Sequence, residues 1–537
     1  MTNIIFAKEP RKGSIRIRTM KRIDDPNIVE NYVADESRII RGNAEEVIFP
    51  ITEQHIAETL REANENEVRV TVSGAGTGIT GSRVPIGGIV LSTEKMTHVC
   101  EKEQAPEKLV EYFELGKSYS IKISNDEERN ECYAVAPPGV PLEIFKKMVE
   151  GEGLYYPPDP TETTAFLGGT VATNASGART FRYGSTRNYI RRLHIVLPNG
   201  DVLNVKRGQV FAEQNSFVII LTNGQEVKLE LPTYAMPKVR KNAAGYYVKP
   251  GIDLIDLFIG CEGTLGVISE VEVKLVEKPK TILPVFAYFS EEENALEFAK
   301  KLRTAATTGK LGIFSIEYFD KNSTAFIRKK YPPPKIPEKS NGIIFFEQEI
   351  PSEEELPRYL KETVNLLESC NVLETMASVG SDWTKEVKEI RHALPEEVNS
   401  FVRSHGTYKV ATDIAVPDES FDKMMECYSK VGDETGILYV IFGHIGDYHI
   451  HFNFLPTNHQ QLEKAVKACT ILLKKGVELG GTVSAEHGVG KKRYIENSKE
   501  KPLLELMYGK KGLMEIAKLK NALDPNSILN IGNIYEL

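Results

Sequence analysis

The chain has 537 residues, 41% hydrophobic and 26% charged, so two or more domains with sizeable cores are expected. A net charge of −8 gives no electrostatic reason to expect nucleic acid, and six cysteines scattered without a C-x-x-C pair exclude an iron–sulfur or cysteine–zinc motif and suit a reducing compartment. Residues 1–13 lack the apolar core of a signal peptide and no apolar run approaches a membrane span, so no transmembrane segment is expected and the location is read as cytoplasmic, free or peripheral to a membrane.

Residues 1–45 form a charged, weakly periodic arm. Thr52 is placed to cap a helix with Ile56, Leu60 and Ala63 on one stripe. In 67–72 the alternation of Val68, Val70 and Val72 predicts a strand, which runs into VSGAGTGITGS. Gly74, Gly76, Gly78 and Gly81, with Ala75, Thr77 and Ser82 among them, make a loop whose backbone N–H groups can cradle a pyrophosphate. Gly76, Gly78 and Gly81 match G-x-G-x-x-G, but Pro85 and a strand-like 88–92 follow where a nicotinamide fold requires a helix.

In 134–177, prolines at 137, 138 and 141 mark a rigid turn before a helix over 142–150, and those at 157, 158 and 160 set an extended stretch. Gly168, Gly169, Asn174, Ser176 and Gly177 form a small-residue segment suited to lie along a flat ligand. Asn199-Gly200 and Asn223-Gly224 predict hairpin turns. A glycine-centred apolar stretch, 254–272, closes a first α+β unit near residue 280. The second unit alternates strands (283–289, 312–319, 342–348, 408–416, 437–455) with helices (to 303, to 369, 418–431, 459–478). Ser290 with Glu293 and Ser352 with Glu355 read as capping boxes. The pattern suits an antiparallel sheet with helices on one face. Residues 514–537 read as a helix and a coil-like tail.

His444, His449 and His451 fall within GHIGDYHIHFN (443–453), and Glu486-His487 lies in SAEHGVGKKR (484–493). In a strand His449 and His451 share a face; His444 joins them only if Gly446-Asp447 bends the chain. Imidazoles with a carboxylate suit zinc, manganese or iron(II), and the spacing leaves open which imidazoles bind.

Together these clusters resemble the vanillyl-alcohol-oxidase type of FAD flavoprotein, in its D-2-hydroxyacid dehydrogenase branch (D-lactate dehydrogenases, the glycolate oxidase flavin subunit, D-2-hydroxyglutarate dehydrogenase). GAGTGITG resembles the pyrophosphate loop, PPDPTETTAFLGGTVATNASG with RYGSTRNYI the isoalloxazine-side segment, and GCEGTLGVISE the flavin strand. GHIGDYHIHFN and AEHGVG resemble the metal and base motifs. The resemblance implies an α+β fold: a two-subdomain FAD-binding domain (1–280, arm 1–45), an antiparallel-sheet, ferredoxin-like cap (281–489), and a C-terminal segment (490–537) returning to the FAD domain. It assigns Pro137, Gly139, Gly168, Gly169, Thr173, Asn174, Ser176, Gly177, Glu262, Gly263, Ile268 and Asn530, beside the glycine loop, to the flavin. His444, His451 and Glu486 match metal ligands and His487 the base. Arg391 and Lys409 resemble cations that bind a substrate carboxylate, and Asn453 a polar residue near the metal.

The same resemblance implies oxidation of a small 2-hydroxyacid, with electrons passed to an electron-transfer flavoprotein, a quinone, a cytochrome or an iron–sulfur subunit, and leaves homo-oligomerisation open. The loop has no histidine for covalent attachment, so FAD is expected to be non-covalent. Tyr448 and His449 stand where Gly-Asn is usual; His449 is left as an extra ligand, a substrate contact or a second base, although the alignment places it off the ligand set. Cys261 stands for the usual Ser, and Asn530 to Asn533 for N-P-G-K. Two alternatives are a non-redox flavoenzyme like alkyl-dihydroxyacetonephosphate synthase and a catalytically silent FAD electron-transfer subunit; Glu486 beside His487 favours the dehydrogenase over the first.

Overall fold

The computed structural model describes residues 4–6, 20–37, 40–99, 107–377 and 381–534. The glycine loop belongs to a small sheet in which Glu46–Phe49, Ile89–Ser92 and Val70–Ser73 lie parallel, with Lys21–Ile23 antiparallel at one edge. The helix Glu53–Glu65 covers this sheet. Thr52 caps it, accepting from His55 N at 3.2 Å, and Ile56, Ala57, Leu60 and Ala63 pack on Ile48, Val70 and Leu91. The loop therefore joins two parallel strands with no helix between them, as the Pro85 stretch implies.

A seven-stranded antiparallel sheet forms the second part of this unit, in the order Val202–Lys206, Ile190–Val196, Val267–Glu277, Glu131–Ala136, Lys117–Asp126 and Lys108–Glu114, with Leu154–Tyr155 pairing to the end of Val267–Glu277. Both Asn-Gly pairs close hairpins, one between Ile190–Val196 and Val202–Lys206, the other between Ser216–Ile220 and Glu226–Glu230. The chain's end returns here: Val70 N donates to Ile528 O (2.7 Å) and Asn530 N to Val70 O (2.9 Å), extending the sheet beside the glycine loop.

The second unit is one sheet whose pairings are all antiparallel: Glu374–Ala377, Thr281–Phe289, Gly342–Ile350, Gly312–Phe319, Tyr439–His444, His449–Phe454, then the short Val410–Ala411 and Ile414–Ala415. Strand alternation sends Val285, Ala287 and Phe289 to one face, where helices Glu292–Thr307, Phe421–Thr435 and His459–Glu478 supply Phe298, Tyr428 and Leu472. Phe286, Tyr288 and Phe345 go to the other, under helices Lys321–Lys330 and Ser381–Ser404. Helices thus cover both faces rather than one. The second layer rests on Val387, Ile390, Leu394 and Val398, a 3–4 spacing inside a segment the strand pattern passes over. Neither capping box forms. Glu291 is the N-cap of Glu292–Thr307, and Ser352 opens a short 3₁₀ turn without a side-chain cap bond. The expected strand over 408–416 is broken at Thr412-Asp413, and that break serves the site.

Candidate functional site

The three histidines come together through one hairpin. Tyr439–His444 and His449–Phe454 pair so that His444 lies opposite His449, and the turn Ile445–Asp447 ends on Tyr448 in the left-handed region (φ +50°). That conformation explains why glycine suits position 448. The Tyr448 ring turns away from the cluster, stacking on Phe421 (4.3 Å between centroids) beneath the Arg303 guanidinium (3.5 Å). Of the two departures in GHIGDYHIHFN, only His449 faces the site.

Glu486 sits at the centre. Its Oε2 is 3.5 Å from His444 Nε2 and 3.7 Å from His449 Nδ1; its Oε1 is 3.2 Å from His451 Nε2 and 3.4 Å from His487 Nε2. Burial opposes its charge, but Lys241, His444 and His449 together hold its carboxyl well below the usual range. Burial and the nearby Lys241 cation push His444 well down, and burial lowers His449 to about 4, so both rings are neutral near pH 7 and each carries a free lone pair. Among the described residues, His444 Nδ1 and His449 Nδ1 are buried without a hydrogen-bond partner.

Asp413 organises the site from behind. It sits in the break between Val410–Ala411 and Ile414–Ala415, bridged to Ser484. Its Oδ1 accepts from His449 Nε2 at 2.7 Å; its Oδ2 accepts from Ser484 Oγ (2.9 Å), Glu486 N (3.2 Å) and His487 N (3.0 Å), and lies 3.1 Å from His487 Nδ1. Burial works against its ionisation, and His487 and His449 overcome it, holding Asp413 well below the ordinary carboxylate range. Lys241, fully buried, reaches Glu486 Oε2 at 3.2 Å and lies 3.6 Å from Asp447 Oδ2. Burial raises Asp447 to about 6. Sequence reasoning missed Asp413 and Lys241. An aspartate interrupting a strand pattern was the one signal for the first, and nothing local marks the second.

The remaining sequence-derived residues land as follows. His444, His451, Glu486 and His487 are in the cluster; Asn453, on the same strand as His451, is buried, and its Nδ2 has no partner among the described residues. Lys409 is half-buried, and burial with repulsion from Lys492 lowers it to about 8. Arg391 is no free surface charge: it is half-buried on the helix Ser381–Ser404 with its Nε 2.7 Å from Glu317 Oε1. Nearby, Arg179 forks onto Glu347 (2.8 and 2.7 Å), contacts Tyr155 and lies 3.6 Å from Asp159, which Lys146 holds at 2.5 Å. This network joins the first unit to the cap.

On the flavin side the glycines divide by what surrounds them. Added Cβ atoms at Gly78 and Gly169 would meet nothing among the described residues within 4 Å, and one at Gly74 would meet only Gly169 Cα at 4.0 Å. Of these, Gly74 lines a cleft of about 490 Å³ together with Ala75, Arg83, Pro141 and Phe166. Gly139, Gly168 and Gly177 are instead required by protein packing: a Cβ would lie 2.1 Å from Thr93 O, 2.5 Å from Pro138 Cβ and 1.8 Å from Asp159 O. Pro137 lines a separate small recess with Met96 and Ser269, and Ile268 is buried on Val267–Glu277. Gly81 N donates to Asp35 Oδ2 (2.6 Å) and Ser82 Oγ to Glu262, which also accepts from Val489 N (2.6 Å) and Gly490 N (2.8 Å). Asn530 bridges Val72 N (2.7 Å) and Glu262 O (2.7 Å), and its amide would sit 2.6 Å from a Cβ on Gly263. Thr173 bonds Gly169 O (3.0 Å) and Asn174 Arg187 N (3.0 Å), while Ser176 Oγ is buried with no partner among the described residues. The loop's far end is thus clamped to the protein, Gly74 and Ala75 line the cleft, and Gly76 (φ +85°) is packed beneath the Arg83 guanidinium.

The structure thus joins a two-subdomain unit with a cleft at the glycine loop to an antiparallel cap carrying a histidine–carboxylate cluster, the arrangement expected from the flavoprotein resemblance. The comparisons with known proteins agree. A family described as FAD binding domain matches residues 44–113 and 114–206, and one described as FAD linked oxidases, C-terminal domain, matches 278–534. The chain belongs to the FAD-linked oxidase family. It is 27% identical to glycolate oxidase subunit GlcD of Bacillus subtilis, over 99% of this chain and 97% of that protein. It is 26% identical to a D-lactate dehydrogenase of Anaerostipes hadrus (95% and 94% covered), and 25% identical to D-2-hydroxyglutarate dehydrogenase of Stutzerimonas stutzeri (96% of each). Among solved structures, an alkyldihydroxyacetonephosphate synthase shares the fold, with a TM-score of 0.62 at 15% identity over 98% of this chain and 86% of that one. Among the described residues, no helix is long and apolar enough to cross a membrane.

Proposed function

We propose that the chain oxidises a small D-2-hydroxyacid, of the D-lactate, glycolate or 2-hydroxyglutarate class, to the 2-oxoacid, using non-covalent FAD and a divalent metal (zinc, manganese or iron), and passes the electrons to a separate protein or quinone acceptor. The observation that carries this reading is the convergence of His444, His451 and Glu486 beside His487, with their donor atoms within 3.2–3.5 Å of the Glu486 carboxylate. Neutral imidazoles and an ionised carboxylate are the donor set such metals take. The open faces of Gly74, Gly78 and Gly169, where an added Cβ meets nothing closer than 4.0 Å among the described residues, suit a flavin's diphosphate and ring edge. When bound, FAD supplies a hydride acceptor at N5, and the metal supplies a Lewis acid that lowers the pKa of the substrate hydroxyl.

The chain's own residues do the rest. His487 is the general base. Its Nδ1 bonds Asp413, which fixes the ring and stabilises the cation formed when Nε2 takes the hydroxyl proton. Lys409 and Arg391 orient the substrate carboxylate, Arg391 exchanging part of its pairing with Glu317 for the substrate. Asn453 offers its free amide beside the metal. Residues 1–280 and the tail 490–537 form the flavin side, and 281–489 the cap. The donor set favours this chemistry over a non-redox or silent flavoprotein, which has no use for a metal-binding cluster.

Anaerobic mixing with D- and L-2-hydroxyacids tests the reading. A D-acid is expected to bleach the flavin, and FAD is expected to come free on acid denaturation. His487→Ala should keep FAD and metal yet slow flavin reduction by about 10²–10⁴, the contribution of a general base. Glu486→Ala should lose metal and reduction together. No bleaching by any acid of the panel, or metal loss in His487→Ala with retention in Glu486→Ala, overturns the assignment.

A further inference from the structure

We propose that His449 is a fourth protein ligand to the metal of this site, aimed by Asp413, so that the ion is held by three imidazoles and one carboxylate; this rests on the metal reading above. The ring's two nitrogens have separate tasks. Nε2 donates to Asp413 Oδ1 at 2.7 Å, which fixes the tautomer and leaves the lone pair on Nδ1. Nδ1 is buried, has no hydrogen-bond partner among the described residues, and faces Glu486 Oε2 at 3.7 Å. A carboxylate gripping one imidazole nitrogen while the other points at a donor cluster is the arrangement that orients metal-binding histidines.

Distances between the donors support the same set. With metal–nitrogen bonds of about 2.0–2.1 Å, the edges of a tetrahedral site are about 3.3–3.4 Å. Glu486 Oε2 stands 3.5 Å from His444 Nε2 and 3.7 Å from His449 Nδ1, its Oε1 stands 3.2 Å from His451 Nε2, and one donor atom from each of the four residues lies within 4.8 Å of the others. Asp413 could complete a different group with His451, Glu486 and His487. Its oxygens are already committed, however: Oδ1 to His449, and Oδ2 to Ser484 Oγ and the backbone N–H groups of Glu486 and His487. It positions ligands rather than serving as one. With four protein donors, substrate oxygens would enter only by raising the coordination number, which would favour an ion at ease with five or six ligands.

The test uses the FAD-loaded protein, stripped with a chelator and titrated with Co²⁺. Wild type should bind one Co²⁺ per chain with a ligand-field band. Asp413→Asn should weaken binding by about 10–100-fold, the usual effect of losing a ligand's orienting partner. His449→Asn should weaken it further and shift the band, with FAD stoichiometry unchanged. Wild-type affinity and spectrum in His449→Asn, while His444→Ala and Glu486→Ala lose the ion, would overturn the proposal and leave the metal reading standing. Wild type that takes up no Co²⁺ would overturn both. X-ray absorption at the cobalt edge of wild type needs no variant: three imidazoles are expected, and two would refute the assignment.

Discussion

Arg179 and Glu347 carry a charged contact across the seam between the flavin unit and the cap, and removing Arg179 alone should be more damaging than removing both. Arg179 grips Glu347 through two bonds of 2.8 and 2.7 Å, and the side chains are only 15% and 10% exposed. Arg179→Met leaves Glu347 with Ser315 Oγ (3.0 Å) as its remaining close partner, and stranding a buried charge in this way costs about 3–5 kcal/mol. Glu347→Gln should cost less, because Arg179 keeps Asp159 at 3.6 Å and the amide retains the Ser315 contact. In the double variant no stranded carboxylate remains, so at least about 2 kcal/mol of the Arg179→Met loss should return, within the range measured for coupled neighbours. Urea unfolding of the FAD-loaded protein, followed by far-UV circular dichroism and flavin fluorescence, gives the cycle. A coupling below about 0.5 kcal/mol would show the two side chains acting independently and refute the reasoning.

Gly169→Val should abolish FAD binding with little loss of fold, since its Cβ would meet no neighbour among the described residues within 4 Å, whereas Gly177→Val should destabilise the protein itself because Asp159 O already fills that space; flavin content and melting temperature separate the two. Lys409→Ala and Arg391→Ala should each raise KM about ten- to a hundredfold, the loss of one charge-assisted bond, and an unchanged KM in both would remove them from substrate binding. Lys409 loses its charge as pH rises through about 8, so KM for an anionic acid should climb above that pH in wild type and stay flat in Lys409→Arg. Asp320, the N-cap of Lys321–Lys330, is raised to about 7 by burial. The unfolded chain gives up this proton first, so stability should fall from about pH 4 to 7, and Asp320→Asn, measured by denaturant midpoints, should flatten that slope.

What was legible in the chain follows from how local each signal is. The glycine loop, the Asn-Gly hairpins and the helix His459–Glu478 announce themselves within a few residues, and His444, His449 and His451 sit on one hairpin whose turn residues are visible in sequence. Asp413, Lys241 and the Arg391–Glu317 pair depend on partners 71 and 245 positions away, or on a helix layer laid over the sheet afterwards. No spacing rule reaches that far. The two departures in GHIGDYHIHFN show the limit most sharply. Read as letters, Tyr448 and His449 both crowd the site; folded, the left-handed turn at 448 sends one ring onto Phe421 and the next toward Glu486. Register then does the rest. Asp413 reaches His449 and the 484–487 loop because Ile414 pairs with Ile450, Ala415 with His449, and Asp413 itself with Ser484. A slip of one residue in that short strand would turn the carboxylate to the opposite face of the sheet and leave His449, His487 and two loop N–H groups without it. The break at Thr412-Asp413, which looks in sequence like a fault in a strand, is where the fold places the group that aims the cluster.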